Sequence, residues 1–146
     1  RKYLVSGFST EGLQCKKMKQ AYLAKEGCTL RVRIADDKAF LTIKGKTEGI
    51  SRAEFEYEIP MEDANAMMEL AIYPPVIKTR YYAEVDGKIW EVDVFEGENE
   101  GLIMAEIELS SENEEFILPE WAKEEVTGDK RYYNAYLAKK PYKKWE

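Results

Sequence analysis

The chain has 146 residues, 34% of them charged and 45% hydrophobic, and a formal net charge of −6. That length suits one domain with a proper core, here residues 1–146, and the acidic balance argues against a general nucleic-acid binder. Histidine is missing altogether, which excludes Ser-His and Cys-His catalysis and the usual His-bearing zinc sites. The chain opens on Arg1-Lys2 without a methionine, so it reads as trimmed where a first strand, 1–6, is getting under way. A short helix is expected near 10–14, then strands at 17–24, 28–36, 38–46 and 52–60. A helix over 61–71 follows Pro60 and stops before Pro74-Pro75. Strands at 76–86, 88–95 and 101–110 come next, the first two joined by an Asp86-Gly87 hairpin turn. Short helices at 111–117, 119–124 and 131–139 complete the expectation.

No stretch approaches the roughly 18 apolar residues of a membrane span, and no signal peptide or Gly-rich phosphate loop is present. Cys15 and Cys28 form no metal-ligand spacing, so a reducing, cytoplasmic home without membrane attachment is expected, for a monomer or a homodimer. About eight evenly spaced strands with short helices at the joins predict an α+β fold built on a closed eight-stranded antiparallel β-barrel.

The strands alternate between apolar and ionic side chains. Leu30, Val32 and Ile34 oppose Arg31 and Arg33, and Leu41 and Ile43 oppose Thr42, Lys44 and Lys46. Phe55, Tyr57 and Ile59 oppose Arg52, Glu54, Glu56 and Glu58, and Ile77 and Tyr81 oppose Lys78 and Arg80. Trp90, Val92 and Val94 oppose Glu91 and Asp93, while Ile107 and Leu109 oppose Glu106 and Glu108. Solvated strand faces usually mix Ser, Thr, Gln and Lys, whereas these are nearly pure charge with the signs segregated along the chain. If the sheet closes, the ionic faces line a tunnel whose crowded cations call for a bound polyanion. Arginine grips phosphate oxygens bidentately and lysine supplies point charge, which suits a short chain of phosphates. Carboxylates at i and i+2, such as Glu106 and Glu108, offer hard oxygens to Mg2+ or Mn2+ shared with substrate phosphates.

These stretches, in this order, resemble the CYTH superfamily of triphosphate tunnel metalloenzymes, and most of all its short inorganic tripolyphosphatases. The matching pieces run from Arg1-Lys2-Tyr3-Leu4-Val5 through Thr29-Leu30-Arg31-Val32-Arg33 and Leu41-Thr42-Ile43-Lys44-Gly45 to Arg52-Ala53-Glu54-Phe55-Glu56. Lys78-Thr79-Arg80, Trp90-Glu91-Val92-Asp93, Ala105-Glu106-Ile107-Glu108 and Val126-Thr127-Gly128-Asp129-Lys130 follow. Of the family's opening Glu-x-Glu-x-Lys only the lysine is matched, by Lys2; the two metal-binding glutamates would precede Arg1.

The resemblance implies metal-dependent hydrolysis of a triphosphate, inorganic tripolyphosphate first, with ATP or thiamine triphosphate as further candidates. It implies that Lys2, Arg31, Arg33, Lys44, Lys46, Arg52, Lys78, Arg80 and Lys130 hold the substrate. Glu106 and Glu108, with Glu54 and Glu56 as further acidic tunnel positions, are the implied metal ligands. Without histidine, a carboxylate or lysine must handle the water, and Lys2, Lys44, Lys78, Glu91 and Asp93 are the catalytic candidates. Two rival functions stand beside it: an adenylyl cyclase of class IV type, with Tyr22, Phe40, Tyr81 and Tyr82 as base-stacking aromatics, and a non-catalytic polyphosphate- or nucleotide-binding module.

Overall fold

A computed structural model describes residues 1–46 and 51–145. Nine strands form one antiparallel sheet: β1 (Lys2–Val5), β2 (Cys15–Ala24), β3 (Thr29–Ala35), β4 (Lys38–Lys44), β5 (Glu54–Ile59), β6 (Val76–Val85), β7 (Lys88–Glu96), β8 (Ile103–Glu106) and β9 (Ala122–Glu125). Among the described residues two short α-helices accompany them, α1 (Met61–Met68) and α2 (Asn134–Lys139). The spatial order is β5-β4-β3-β2-β6-β7-β8-β1-β9. Among the described residues no pairing joins β5 to β9, so the expected eight-stranded closure gives way to nine strands in linear order. Both ends suit an edge: β9 has four residues, and β5 carries Glu54, Glu56 and Glu58, charges that blunt further pairing.

Local chemistry accounts for the joints. At the Asp86-Gly87 turn both residues adopt positive φ, 52° and 77°, the geometry that a two-residue hairpin needs to match strand twist. Pro60 precedes α1 as an extended residue with its fixed φ of −61°, and Glu62 and Asp63 favour the positive end of the helix.

The apolar sides of the strands do pack, and two separate layers cover them. Ala21, Val32 and Ala39 lie under Ala64 of α1, joined by Ile34, Ile59, Met67 and Met68. Trp90, Val92, Tyr3, Ala105 and Ile107 lie under Phe8, Phe116 and Trp121. Trp121 and Phe116 meet Trp90 edge-on at ring-centroid distances of 5.5 and 5.9 Å. The second cover is loop rather than helix: 10–14 and 111–117 are turns, not the short helices expected from their composition. Residues 122–124, expected in the helix 119–124, belong instead to strand β9, which pairs with β1 through Tyr3 and Val5. Phe55 and Tyr57, expected on the core side, are 52% and 56% exposed because β5 is an edge strand that α1 covers only at Ile59.

A third cluster sits on the opposite side of the sheet. Tyr22, Val76, Phe95 and Met104 pack with Leu102, Val126, Tyr132, Leu137 and Ala138, with Tyr142 and Trp145 against them. The C-terminal segment thus seals one end of the face that carries the charge. No helix among the described residues is long and apolar enough to cross a membrane.

Candidate functional site

Strand register decides which side chains share a face. Arg31 pairs with Thr42 on β4 and Tyr22 on β2, and Arg33 pairs with Phe40 and Gln20. Thr42 and Lys44 pair with Glu56 and Glu54 on β5. On the other side of β2, Met18 pairs with Lys78 and Lys16 with Arg80. Arg80 pairs with Asp93 on β7, Glu91 with Glu106 on β8, and Glu106 with Lys2 on β1. One face therefore runs from β5 to β1 carrying, in order, Glu54 and Glu56, Lys44, Arg31 and Arg33, Lys78 and Arg80, Glu91 and Asp93, Glu106 and Lys2.

Strands lie about 4.8 Å apart, so β1 and β6, with β8 and β7 between them, would hold their side chains roughly 14 Å apart on a flat sheet. Yet Lys2, Lys78, Arg80, Glu91, Asp93 and Glu106 line one cavity of about 150 Å³, with Tyr132 and Asn134 over it. The face is concave. A second cavity of about 220 Å³ is lined by Arg31, Thr42, Lys44 and Arg52 together with Tyr22, Lys25 and Thr29. The start of α2 borders both, through Asn134 in the first and Ala135 in the second.

The first cavity is built around a buried ion cluster. Lys78 Nζ donates to Asp93 Oδ2 at 2.8 Å, and Arg80 donates through Nε to Oδ1 at 2.8 Å and through an Nη to Oδ2 at 3.0 Å. Arg80 also meets Glu91 at 3.3 Å. Burial by itself would raise the Asp93 carboxyl, but Lys78 and Arg80 outweigh it and hold it below the ordinary carboxylate range. Burial pushes the Lys78 ammonium down, Asp93 opposes the shift, and Arg80 and Lys2 add to it. A polyanion bound in this cavity would draw on protonated Lys78. Its affinity is therefore expected to fall as pH rises through that lowered value, at a pH below the 10.5 of an ordinary lysine. A titration of Kd against pH that stays flat up to 10.5 contradicts this role for Lys78.

The second cavity is less well compensated. Lys44 reaches Glu54 at 3.8 Å, and Arg33, which shares the face but lines neither cavity, reaches Glu56 at 3.4 Å, both acids being on the exposed edge strand. Arg52 donates to the Gly45 carbonyl at 2.9 Å and to Thr29 Oγ1 at 3.4 Å. Burial lowers the Arg33 guanidinium, and Arg31 and Arg80 lower it further by repulsion. Among the described residues the Nε atoms of Arg31 and Arg33 are buried without a hydrogen-bond partner, a costly condition that an incoming anion would relieve.

Not every residue expected at the site is there. Lys46 lies beyond the end of β4 and is exposed, lining neither cavity. Lys130 borders a neighbouring cavity of about 610 Å³ that shares Lys25 and Ala135 with the second one and is lined also by Tyr133, Tyr136, Lys139 and Lys140. Glu108 follows the end of β8 and shares with Glu106 an open cavity next to Arg1, Glu112 and Glu125. Glu54 and Glu56 stand against Lys44 and Arg33, and Thr42 Oγ1 donates to Glu56 at 3.0 Å, so these two carboxylates are separated from Glu106 by five strands of the sheet order. Among the described residues no three carboxylate or thiol groups gather to hold a metal unaided. Of the four candidate aromatics, Tyr22 is buried beside Arg31, Phe40 lies under Arg33, Tyr82 pairs with Glu91 next to Arg80 on the same ionic face, and Tyr81 is on the apolar side against Phe8.

The CYTH domain model matches residues 2–136. The chain belongs to the CYTH domain family. Two curated CYTH relatives are both named inorganic triphosphatase. The protein from Acetivibrio thermocellus is 47% identical over all of this chain and 96% of its own length, and that from Nitrosomonas europaea is 37% identical over 94% of each. A crystal structure described as an inorganic triphosphatase superposes with a TM-score of 0.81, at 35% identity and 94% coverage of both chains. A Hippeastrum protein, described as a putative adenylyl cyclase with dominant triphosphatase activity, shares the fold at a TM-score of 0.52 and 16% identity, covering 75% of this chain and 78% of its own.

Proposed function

We propose that this CYTH protein hydrolyses inorganic triphosphate to pyrophosphate and phosphate with the help of Mg2+ or Mn2+, as one domain in a reducing cytoplasm. The observation that carries the reading is that Lys2, Arg31, Lys44, Arg52, Lys78 and Arg80 line the two cavities of one concave face that Arg33 shares by register, with two arginine Nε donors unpartnered among the described residues. The names of its full-length relatives support it. A walled tunnel belongs to the same reading, supported by the cavity that β1 shares with β6.

Tripolyphosphate then lies across both cavities, its charges shared between the Arg31 side and the Lys78 side. Water attacks a terminal phosphorus; the new P–O bond forms as the bond to the departing pyrophosphate breaks. Charge gathers on the leaving oxygens, where arginine and lysine neutralise it. Both oxygens of Asp93 are occupied by Lys78 and Arg80, so Asp93 positions cations and does not accept the proton of water. Glu91, which lines the same cavity and is more open, is the proton acceptor in this reading.

Magnesium binds through one or two protein carboxylates with phosphate oxygens completing its shell, and Glu106 and Glu108 fit that habit. A metal so held supplies Lewis-acid polarisation of the phosphate oxygens. Glu54 and Glu56, committed to Lys44, Arg33 and Thr42, do not belong to that set.

The reading is tested by measuring phosphate released from tripolyphosphate, ATP and thiamine triphosphate with Mg2+ and Mn2+. Metal-dependent release, strongest from tripolyphosphate, is expected. Cyclic AMP and pyrophosphate from ATP would assign a cyclase instead, and tight binding without turnover a binding module.

A further inference from the structure

Among the described residues four buried side-chain donors lack a partner, and three of them lie on the ionic face: Arg31 Nε, Arg33 Nε and Gln20 Nε2. The fourth, Trp90 Nε1, belongs to the apolar side. Gln20 is 2% exposed and sits on β2, the strand between the two basic rows. It pairs directly with Arg33 on β3 and with Val76 on β6, which places Lys78 on the adjoining diagonal, within reach of long side chains. A primary amide has two donors, and leaving one buried and unmade is costly unless a ligand completes it.

We propose that Gln20 is a neutral third arm of the site, donating from Nε2 to a phosphate oxygen of the triphosphate that Arg31 and Arg33 hold; this rests on the triphosphate reading of the face. The three donors are covered in the free chain, so the arginine side chains must swing for the anion to reach the floor of β2. Arg33 is already repelled by Arg31 and Arg80, and an arriving phosphate removes the reason for it to stay back. A neutral donor also differs from its neighbours in kind: it adds affinity that salt does not screen as it screens a charge.

The test uses tripolyphosphate binding by calorimetry with divalent metal chelated, comparing the full chain with Gln20→Met, Gln20→Glu and Arg31→Ala at low and high KCl. Gln20→Met keeps the volume and removes the unmade donor, so its ligand-free Tm is expected to equal or exceed that of the parent. Its affinity is expected to drop roughly tenfold to hundredfold, the worth of one hydrogen bond to a charged group. That ratio should hold across salt, whereas the Arg31→Ala loss should shrink as salt rises. Gln20→Glu, which sets a carboxylate against the incoming phosphate beside Arg33, should bind more weakly still. Gln20→Met binding within twofold of the parent overturns the contact, as does a fall in its Tm of about 10 °C or more, which assigns Gln20 to packing. A parent chain that fails to bind tripolyphosphate overturns the reading of the face itself, and the contact with it.

Discussion

Replacing Asp93 with alanine is expected to destabilise the fold by about 3–5 kcal/mol, because it strands a buried cation. Lys78 is 2% exposed and Asp93 is its anionic partner, while Arg80 loses a two-pronged hold on the same carboxylate. For a domain of this size each kcal/mol moves Tm by about 2–5 °C, so a fall of roughly 6–25 °C is expected. The pH dependence carries a definite sign. The folded Asp93 carboxyl lies below its unfolded value of 3.8, so its contribution is fully present above that pH and is lost as pH falls through the folded value. The gap in stability between the parent and Asp93→Ala should therefore be wide at neutral pH and close in acid below about pH 4. Denaturant melts at both pH values check this; a gap that stays constant would mean that the ion cluster is not its source.

The double change Arg31→Ala and Arg33→Ala is expected to act the other way round, on the ligand and not on the fold. Each guanidinium offers charge-assisted bonds worth roughly tenfold to hundredfold in affinity, and together they should cost about 10²- to 10⁴-fold. Stability should stay within a few degrees of the parent. The variant loses two unmade buried donors and the repulsion that Arg33 feels from Arg31 and Arg80, against the loss of an exposed contact with Glu56. Tripolyphosphate titrations alongside thermal melts separate the two quantities. An unchanged Kd removes the face as the binding site; a collapsed fold with normal affinity per folded molecule makes these arginines structural.

Much of this site could be read from alternation alone. Arg31 and Arg33, Lys78 and Arg80, and Glu91 and Asp93 do share one face, because a strand's period of two leaves no other arrangement. What alternation cannot supply is which side of a strand faces the site when both are mixed. On β2 the lysines at 17 and 19 point away from the site and are exposed, while the less polar-looking Met18, Gln20 and Tyr22 face it. Only pairing with Arg33 and Val76 reveals that, so Gln20 carried no signal of its own in the sequence. Strand β9 escaped for a different reason: Ala122, Lys123, Glu124 and Glu125 are good helix formers, and the free edge of β1 overrides that preference. Glu54 and Glu56 look like Glu106 and Glu108 in sequence, yet the sheet order places five strands between the pairs. Residue spacing showed that the carboxylates exist, not which of them are already spent on a neighbouring cation.

The most direct measurement is a crystal structure of the full chain with tripolyphosphate bound and metal withheld. Continuous density for the phosphate chain should run from the guanidinium groups of Arg31 and Arg33 to Lys78 and Arg80, across the central strand that carries Gln20. Phosphate found instead among Lys25, Lys130, Lys139 and Lys140, with the concave face empty, would contradict the account.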